Sequence, residues 1–347
     1  MMPLVSVVIL NWNGISLLQK FIPILIKYNS CNYQIYVIDN GSTDESIDWL
    51  EKNYPNDIKL ITLNENYGFA KGYNEGLKQI NSDYYILLNS DVAVCDKWCE
   101  PLIDFLEKNK DYAALQPKIL SFNNPEYFEY AGAAGGYMDK WGYPFCRGRI
   151  FNTIEKDTGQ YDDITDIFWA SGACFVVRSS IYNQLGGFDE RFFAHMEEID
   201  LCWRIQHLGY KLACVTQSKI YHLGGASLQY NDPRKLFLNI RNNYLMLYKN
   251  LPPYIFKKVY KVRHFIEYLM ILFYLITGKF SNIKAISLAH KYFKKLKYFY
   301  NPNINPHTTK FLYPRSILID YFLRNKKKFS KLNFSMSNTQ SQTKKLR

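Results

Sequence analysis

The 347 residues are 48% hydrophobic and 17% aromatic, which is enough apolar material for one large domain with an appendage or for two domains. Seven cysteines, an odd number without a Cys-x-x-Cys pair, argue against a disulfide framework or a zinc site and favour a reduced, cytosolic chain. No basic segment precedes the first apolar run, so we expect no signal peptide.

The net charge of +12 is distributed unevenly along the chain. Residues 251–347 contain 20 Lys and Arg against 2 Asp and Glu, whereas residues 1–250 contain 23 against 29. The first part is therefore mildly acidic and the last part strongly basic. A basic region of this kind attracts anionic lipid or nucleic acid, or is simply a solvated surface.

The beginning of the chain alternates between two hydrophobic patterns. Short apolar, β-rich runs predict strands at residues 5–10, 34–38, 58–63 and 84–88. A helical pattern follows each of the first three strands. The first predicted helix covers residues 15–28, the second begins after a cap at Ser42 or Thr43, and the third covers residues 69–80. This alternation predicts βαβ units and a parallel sheet.

Polar side chains follow each of these strands, at Asn11, at Asp39, at residues 66–68 and at Asp91. Right-handed crossovers place all four strand ends on one edge of the sheet, where open α/β sheets bind ligands. Asp39 is suited to accept from a base or a ribose hydroxyl. Asp91 offers an oxygen to a hard divalent cation that carries phosphates, although such residues also form ordinary turns. The chain has no Gly-rich phosphate loop, so we expect a metal to hold the phosphates.

The second half of the chain has a less regular pattern. It predicts strands at residues 113–120, 167–177 and 212–215. The strand at 167–177 is broken at Ser171 and Gly172, and a glycine inside a strand often marks the close approach of a ligand or another backbone. Residues 127–158 are rich in aromatic residues and glycine. We interpret them as a loop and hairpin over the crevice, acting as a lid or an acceptor platform.

Three acidic residues, Glu197, Glu198 and Asp200, fall in the first turn of a helix predicted at residues 197–208. Acidic residues are common at helix N-termini because of the helix dipole. The flanking aromatic and methionine side chains indicate partial burial instead. Neighbouring carboxylates in an apolar pocket raise each other's pKa, which suits a general base. His222, after a predicted strand, is either an ordinary core histidine or a metal ligand alongside Asp91.

The sequence predicts further helices from residue 233 onward, just before and within the basic region. Residues 233–250 form the first, in which residues 241–243 face either the crevice or solvent. Residues 254–277 have an apolar centre too short to span a bilayer, which favours either a bundle helix or an interfacial helix flanked by lysines. Residues 283–300 and 315–331 predict two more helices, with a linker at 301–314 and a disordered tail at 332–347.

Seven segments together resemble the family 2 inverting glycosyltransferases, in particular the bacterial rhamnosyltransferase-like members. In chain order they are VSVVILNWN, VIDNGSTDES, NYGFAKGYNEG, YYILLNSDV, WASGACFVVR, FDERFFAHMEEIDLCWR and IYHLGGAS. The resemblance covers about residues 4–245. The resemblance implies an α/β GT-A fold, a Rossmann-like, mostly parallel sheet flanked by helices. It divides residues 1–250 into a nucleotide-sugar half, 1–112, and an acceptor and catalytic half, 113–250, followed by a basic amphipathic helical region at 251–331.

The resemblance also implies roles for individual residues. Those expected at the nucleotide sugar are Asn11, Asn13, Asp39, Asn66, Gly68, Asn74 and Asn89. Those expected at the acceptor are Trp169, Ser171, Gly172, Glu197 and Arg204. Asp91 and His222 are the expected ligands of Mn2+ or Mg2+, with Asn89 where many members have Asp. Glu198 is the expected base, but it replaces the family's usual Asp, which makes Asp200 a rival.

The predicted reaction moves a sugar, on family grounds rhamnose, from a nucleotide-diphospho-sugar to a hydroxyl of a growing cell-surface glycan or lipid-linked saccharide, with inversion. The basic region then contacts the anionic inner face of the cell membrane, which predicts a cytoplasmic, peripheral protein. One alternative is a sugar-nucleotide-forming nucleotidyltransferase, but residues 11–14 are too short for its phosphate loop and contain no basic residue. Another is a non-enzymatic protein that binds nucleic acid or membrane through the basic region. For nucleic acid the chain offers no recognised motif and an acidic body, so we expect no such partner.

Overall fold

The computed structural model describes residues 3–29, 33–129, 131–224, 232–302 and 309–334. The strands are β1 Val5–Asn11, β2 Gln34–Asp39, β3 Ile58–Thr62, β4 Tyr84–Leu88, β5 Val92–Val94, β6 Tyr112–Ser121, β7 Gly136–Met138, β8 Pro144–Cys146, β9 Arg149–Ile150, β10 Thr153–Ile154, β11 Thr165–Asp166, β12 Cys174–Arg178 and β13 Lys211–His222. The α-helices are α1 Ile15–Lys27, α2 Ser46–Asn53, α3 Gly68–Leu77, α4 Glu100–Lys108, α5 Ser179–Gln184, α6 Glu197–His207, α7 Pro233–Asn250, α8 Pro253–Ile276 and α9 Phe280–Leu296.

A nine-stranded sheet forms the centre of the molecule, in the order β11-β13-β6-β12-β4-β1-β2-β3, with β5 paired to β13. The strands β3, β2, β1 and β4 are parallel, as the alternating pattern predicts. β12 runs antiparallel to both of its neighbours, while β13 is parallel to β6. The sheet is therefore mixed but mostly parallel, and the predicted α/β class is confirmed.

The central strands are mostly apolar because both faces of the sheet are covered. Val7, Val37 and Ile86 are completely buried in the core on one face, and Val8 and Ile38 in the core on the other. Burying each such side chain contributes about 1.5–3 kcal/mol. The register pairs Asn11 with Asp39, so the first two parallel strands end level with each other.

Residues 127–158 differ from the expected loop and hairpin. They form a four-stranded antiparallel sheet in the order β10-β9-β8-β7. Met138 and Phe145 are buried in it, and the rings of Tyr313 and Phe329 pack against Phe145. A segment packed on both sides in this way is a fixed layer of the core and not a lid.

Two predicted strands have different limits in the structure. β13 extends over the 12 residues Lys211–His222, beyond the predicted 212–215, because it continues past an irregularity between Val215 and Lys219. β12 begins at Cys174, after the predicted break at residues 171–172. The segment before the break makes one isolated bridge, between Gly136 and Trp169.

The three helices α7, α8 and α9 follow the sequence pattern closely. The prediction of a further helix at residues 315–331 is wrong. That stretch contains a π-helical turn at Ile319–Leu323 and a 3-10 turn at Phe329–Leu332. Side chains of the small sheet hold it instead, since Asp139 accepts from the Ile317 N–H and Glu155 from the Phe329 N–H.

The predicted linker and tail are only partly visible. In the linker, Leu312 and Tyr313 are buried, while residues 303–308 lie outside the described part. In the predicted disordered tail, Leu332 is buried, and residues 335–347 are outside the described part. Within the described residues, no helix combines the length and the apolar character needed to cross a bilayer.

Candidate active site

The ends of β1 and β2 carry a joined set of polar side chains. The Asn11 amide donates to Asp39 Oδ1 at 3.0 Å, and the Ser42 N–H donates to Asp39 Oδ2 at 2.8 Å. Asn13, at φ 49°, accepts from the Thr43 N–H at 2.7 Å. Asn11 Oδ1 is buried and has no hydrogen-bond partner among the described residues. This oxygen and the exposed Asn13 are available to a ligand at the strand ends.

The loop between β3 and α3 is tied to the end of β2 by Asn40. Its amide donates to Asn66 Oδ1 at 3.1 Å, and Asn66 Oδ1 also accepts from the Gly68 N–H at 2.9 Å. Gly68 has φ +77°, and a β-carbon there would lie 2.5 Å from the Phe193 ring, so only glycine fits. Sequence reasoning missed Asn40, whose only signal was its position directly after Asp39.

Asn74 does not reach this edge. It is buried in α3, where its amide donates to the Phe188 carbonyl at 2.9 Å and to Glu190 at 3.2 Å. Its Oδ1 accepts from the Tyr182 hydroxyl at 2.7 Å. Both ends of the amide are therefore used inside the protein. The expectation that Asn74 binds the sugar nucleotide is wrong, because its side chain holds α3 against the segment before α6.

Asp91 and His222 are brought together, 131 residues apart in the chain. His222 Nε2 lies 3.0 Å from Asp91 Oδ1, and both side chains are buried. Strand pairing explains this contact, since His222 is the last residue of β13, which pairs with β5 directly after Asp91. Asn89 is half-buried at the end of β4, and its N–H donates to the Ala173 carbonyl.

A buried glutamate, Glu129, completes this cluster. Its Oε1 lies 3.5 Å from His222 Nδ1. Burial alone lowers the pKa of His222, but Asp91 and Glu129 outweigh it and raise that pKa to about 10. Glu129 Oε2 also accepts from the Ala131 N–H, and the Ala131 carbonyl accepts from Ser171 Oγ at 2.7 Å. Sequence reasoning missed Glu129 because nothing around it marks a strand end.

The residues around the break before β12 lie between this cluster and α3. Trp169 is buried, and its indole N–H donates to the Tyr137 carbonyl at 2.9 Å. Gly172 is half-buried, and a β-carbon there would lie 3.7 Å from the Phe69 ring. The Phe69 N–H donates to the Phe193 carbonyl at 2.8 Å. Contacts therefore lead from Asp91 through His222, Glu129 and Ala131 to Ser171, and a separate hydrogen bond joins Phe69 of α3 to the loop that precedes the acidic helix.

Glu197 and Glu198 begin α6. Glu197 is 4% exposed, Glu198 is partly exposed, and Oε2 of each has no hydrogen-bond partner among the described residues. Burial, reinforced by the neighbouring Glu198, raises the pKa of Glu197 well above its ordinary value. Burial also raises the pKa of Glu198 to about 7, although nearby backbone N–H groups oppose this. A pKa of about 7 suits Glu198 to accepting a proton near neutral pH, whereas the raised pKa of Glu197 favours its protonated form.

The loop before α6 is strained and is held from outside. Phe193, His195 and Met196 have φ of 65°, 70° and 73°, which is costly for residues with a side chain. The amide of Asn242 in α7 donates, at 2.8–2.9 Å, to the carbonyls of Phe192, Ala194 and His195. The adjacent Arg241 donates to the Phe192 carbonyl at 2.8 Å. These α7 side chains therefore face the acidic loop rather than open crevice or solvent.

Asp200 points away from the crevice. It has no exposed surface, and its Oδ2 accepts from Arg204 at 2.8 Å and from Lys249 at 2.9 Å, while its Oδ1 accepts from Asn250. Burial raises its pKa, but Lys249 and Arg204 outweigh that and hold it below the ordinary value. Arg204 also donates to the carbonyls of Leu185 and Gly187. This geometry disagrees with the expectation that Asp200 is a rival base. It also disagrees with the expectation that Arg204 binds the acceptor.

Residues 6–186 match the sequence profile of Glycosyl transferase family 2. The match covers just over half of the chain, and the chain belongs to that family. It is accordingly a glycosyltransferase, an enzyme that transfers a sugar from a nucleotide sugar.

Among curated proteins the chain is similar to the N-acetylglucosaminyl-diphospho-decaprenol L-rhamnosyltransferase of Mycobacterium tuberculosis, with 26% identity over 248 residues that cover 66% of this chain and 79% of the relative. It is also similar to the rhamnosyltransferase WbbL of Escherichia coli, with 25% identity covering 49% of this chain and 64% of WbbL.

Solved structures show the same fold. GalNAc-T7, solved with UDP, GalNAc and Mn2+, superposes with a TM-score of 0.57 at 19% identity and covers 71% of this chain. This chain spans 48% of the length of GalNAc-T7. The mannosyltransferase PcManGT from Pyrobaculum calidifontis, solved with GDP-Man and Mn2+, gives a TM-score of 0.50 at 13% identity and covers 84% of this chain and 74% of its own. These structures support the GT-A fold.

Proposed function

We propose that the protein transfers a sugar, with inversion, from a nucleoside-diphosphate sugar to a hydroxyl of a lipid-linked saccharide. The observation that carries this proposal is that the paired Asp91 and His222 lie at the strand ends, while Glu198, with a raised pKa, begins the helix whose preceding loop is bonded to Phe69 of α3. The rhamnosyltransferase relatives favour rhamnose as the sugar, and the name of the mycobacterial relative favours a lipid-diphosphate acceptor.

The donor lies over the carboxyl ends of β1, β2 and β4 in this proposal. Asn11 Oδ1, buried and without a described partner, receives a donor group of the nucleoside. Both carboxylate oxygens of Asp39 accept hydrogen bonds, one from the Asn11 amide and one from the Ser42 N–H. We therefore assign Asp39 the role of orienting Asn11, in addition to any direct contact with the base. Asn13 and Asn66 line the opening of the same site.

Asp91 and His222 would hold a divalent metal ion, which requires His222 to lose the proton that Asp91 and Glu129 stabilise on it in the metal-free protein. His222 Nε2 and Asp91 Oδ1 are 3.0 Å apart, so both could contribute a ligand atom to one ion. A carboxylate and an imidazole suit Mn2+, the ion in two similar structures. When bound, the ion stabilises the charge of the departing diphosphate. Glu129 lies behind His222 and orients its ring.

Glu198 is the general base in this proposal. Its raised pKa lets it accept the proton of the acceptor hydroxyl while that oxygen attacks the anomeric carbon. The bond from that carbon to the diphosphate breaks, and the electron pair leaves with the nucleoside diphosphate. Glu197 is more buried, and burial together with the charge of Glu198 raises the pKa of Glu197, which favours its neutral form beside the base. Trp169, Ser171 and Gly172 form the floor on which the acceptor lies.

A lipid-linked acceptor requires access to a membrane surface. The 20 basic residues of the region 251–347, against 2 acidic ones, attract anionic lipid, and we propose peripheral association with the membrane.

The test is a panel of nucleoside-diphosphate sugars, including dTDP-rhamnose and UDP-GlcNAc, each with Mn2+. We expect one donor to raise the melting temperature and to be hydrolysed slowly without acceptor. The Asp91→Asn variant should lose the part of this stabilisation that depends on Mn2+, whereas the matched variant Asp57→Asn, exposed and distant in the chain, should keep it. Equal stabilisation by every donor, with or without Mn2+, would overturn the assignment.

A further inference from the structure

The first helix of the basic region, α8, has one side covered with exposed apolar residues. Phe265, Leu269, Leu272, Phe273 and Ile276 are 66%, 50%, 45%, 57% and 87% exposed. Their spacing of three or four residues places them on one stripe of the helix. Tyr268 and Leu275, at 67% and 49%, widen the stripe, and Phe280 at the start of α9 continues it at 66%. We call these eight residues the apolar ridge.

Buried polar contacts fix the ridge in its outward orientation. On the opposite side of α8, the Arg263 guanidinium lies 4.0 Å from the centre of the Tyr143 ring and donates to the Gly142 carbonyl. Glu267 accepts from the Tyr244 hydroxyl at 3.0 Å. Arg263 and Glu267 are both buried, so rolling α8 to hide the ridge would break these bonds and expose a stable polar network.

His290 of α9 belongs to the same network. Its Nε2 lies 2.7 Å from Glu267 Oε2, and His264 joins them to give three ligand-type groups within 4.8 Å of one another. The carboxylate is already engaged by Tyr244 and His290, and the lysine-rich surroundings oppose a further cation. We therefore interpret this cluster as the contact that holds α8 against α9.

The charges around the ridge all have one sign. Residues 251–302 contain a single acidic residue, the buried Glu267. Exposed lysines flank the ridge at both ends and along α9, at positions 257, 258, 261, 279, 284, 291, 294 and 295. A ridge meant for a protein partner or a second copy of this chain would bring these lysines against each other or need acidic residues opposite them. An anionic lipid surface supplies the matching charge and an apolar interior together.

We propose that the apolar ridge inserts into the hydrocarbon boundary of an anionic bilayer, with the flanking lysines at the level of the phosphates. The insertion proposal rests on the proposed function only in that a lipid-linked acceptor requires a membrane surface. What it adds is that apolar insertion, and not charge alone, holds the enzyme at that surface. α8 lies in the plane of the membrane, and the helices α7 and α9 connect it to the acidic loop.

The experiment measures partition of the full chain into vesicles of phosphatidylcholine with 30% phosphatidylglycerol, by co-sedimentation without donor or acceptor. The variant Leu269→Gln/Phe273→Gln should lose partition by roughly tenfold or more, because two inserted side chains become polar. The matched variant Ile154→Gln/Ile164→Gln changes two apolar residues of similar exposure, 41% and 42%, away from the ridge and should partition like the wild type. The loss of vesicle partition in the ridge variant should persist in 0.5 M salt. The variant Lys257→Gln/Lys258→Gln should weaken vesicle binding only at low salt.

Two results would overturn the proposal. One is unchanged partition of the ridge variant. The other is a wild-type dimer in solution that the ridge variant converts to a monomer, because the ridge would then be an interface between copies. Stabilisation by the nucleoside diphosphate with Mn2+ is measured in parallel on every variant, and we expect the ridge variant to keep it. Loss of that stabilisation in all variants would count against the proposed function but would not change the interpretation of the vesicle experiment.

Discussion

The two sides of the candidate site are held in different ways. On the donor side, Asn11, Asp39 and Ser42 bond to one another at the ends of neighbouring strands, and the strand register alone brings them together. On the acidic side, three residues at positive φ precede Glu197, and the side chains that hold them come from α7, about fifty residues later. The donor side is set by local order, whereas the acidic side depends on long-range contacts. Mutations should therefore affect the two sides differently.

The largest expected effect comes from the proposed base. Glu198→Gln keeps the size of the side chain but removes its ability to accept a proton. We expect turnover to fall about 10²–10⁴-fold, the usual contribution of a general base. Donor affinity should change little, because the donor side does not use Glu198. Initial rates and donor-induced thermal shifts measure the two quantities separately.

The control for this variant is Glu51→Gln, an exposed glutamate of α2 on the donor half. It should leave both quantities unchanged. Near-wild-type turnover in Glu198→Gln would show that another group accepts the proton, and the role proposed for the acidic side would then be lost.

The next effect concerns stability. Asp200→Asn leaves Arg204 and Lys249 without their buried counter-charge, and breaking such a pair costs about 3–5 kcal/mol of unfolding free energy. Lys249 keeps Asp189 as a second partner, so we expect the low end of this range. Chemical denaturation measures it. The matched variant Asp111→Asn breaks an exposed pair with Lys211 and should cost less than about 1 kcal/mol. An Asp200→Asn protein that is fully stable but inactive would return Asp200 to the role of base.

The sequence predicts the donor side better than the acidic side, and the reason is physical. Strand ends in a parallel sheet meet at one edge whatever the rest of the chain does, so Asn11, Asp39 and Asp91 are expected there from pattern alone. Contacts made across long stretches leave no such pattern. Glu129 was therefore missed, and for residues 241–243 the pattern left open whether they face the crevice or solvent.

The same limit explains the residues that were expected at the site but lie elsewhere. Asn74, Asp200 and Arg204 have the residue types of a binding site and stand beside it in the chain. The position of each residue around its helix decides whether the side chain points into the crevice or into the core. The helical spacing in the sequence does not show which side of the helix packs against the rest of the protein. The helix predicted at residues 315–331 failed for a related reason, because its backbone donors go to Asp139 and Glu155 of the small sheet.

Asn242→Ala tests whether the acidic side depends on α7. It removes three hydrogen bonds to the strained loop but touches neither acidic residue. We expect turnover to fall by about tenfold or more through misplacement of Glu198, with donor-induced stabilisation retained. Asn53→Ala, an exposed asparagine of α2, is the matched control. A proportional loss of donor binding in Asn242→Ala would mean that the two sides are coupled and would weaken the comparison.

The smallest effect lies along the pH axis, and it tests whether burial or charge repulsion sets the pKa of the proposed base. Glu198 must be ionised to accept a proton, and burial raises its pKa to about 7, so turnover should fall about tenfold per pH unit below that value. The charge of Glu198 helps to raise the pKa of Glu197, whereas burial is what raises the pKa of Glu198. Glu197→Gln should therefore leave this limb close to its wild-type position. Donor-induced stabilisation, measured over the same pH range, should show no such limb. A limb that moves to lower pH in Glu197→Gln would mean that a charged Glu197 also raises the pKa of Glu198, and a limb that survives in the residual activity of Glu198→Gln would mean that it belongs to a different group.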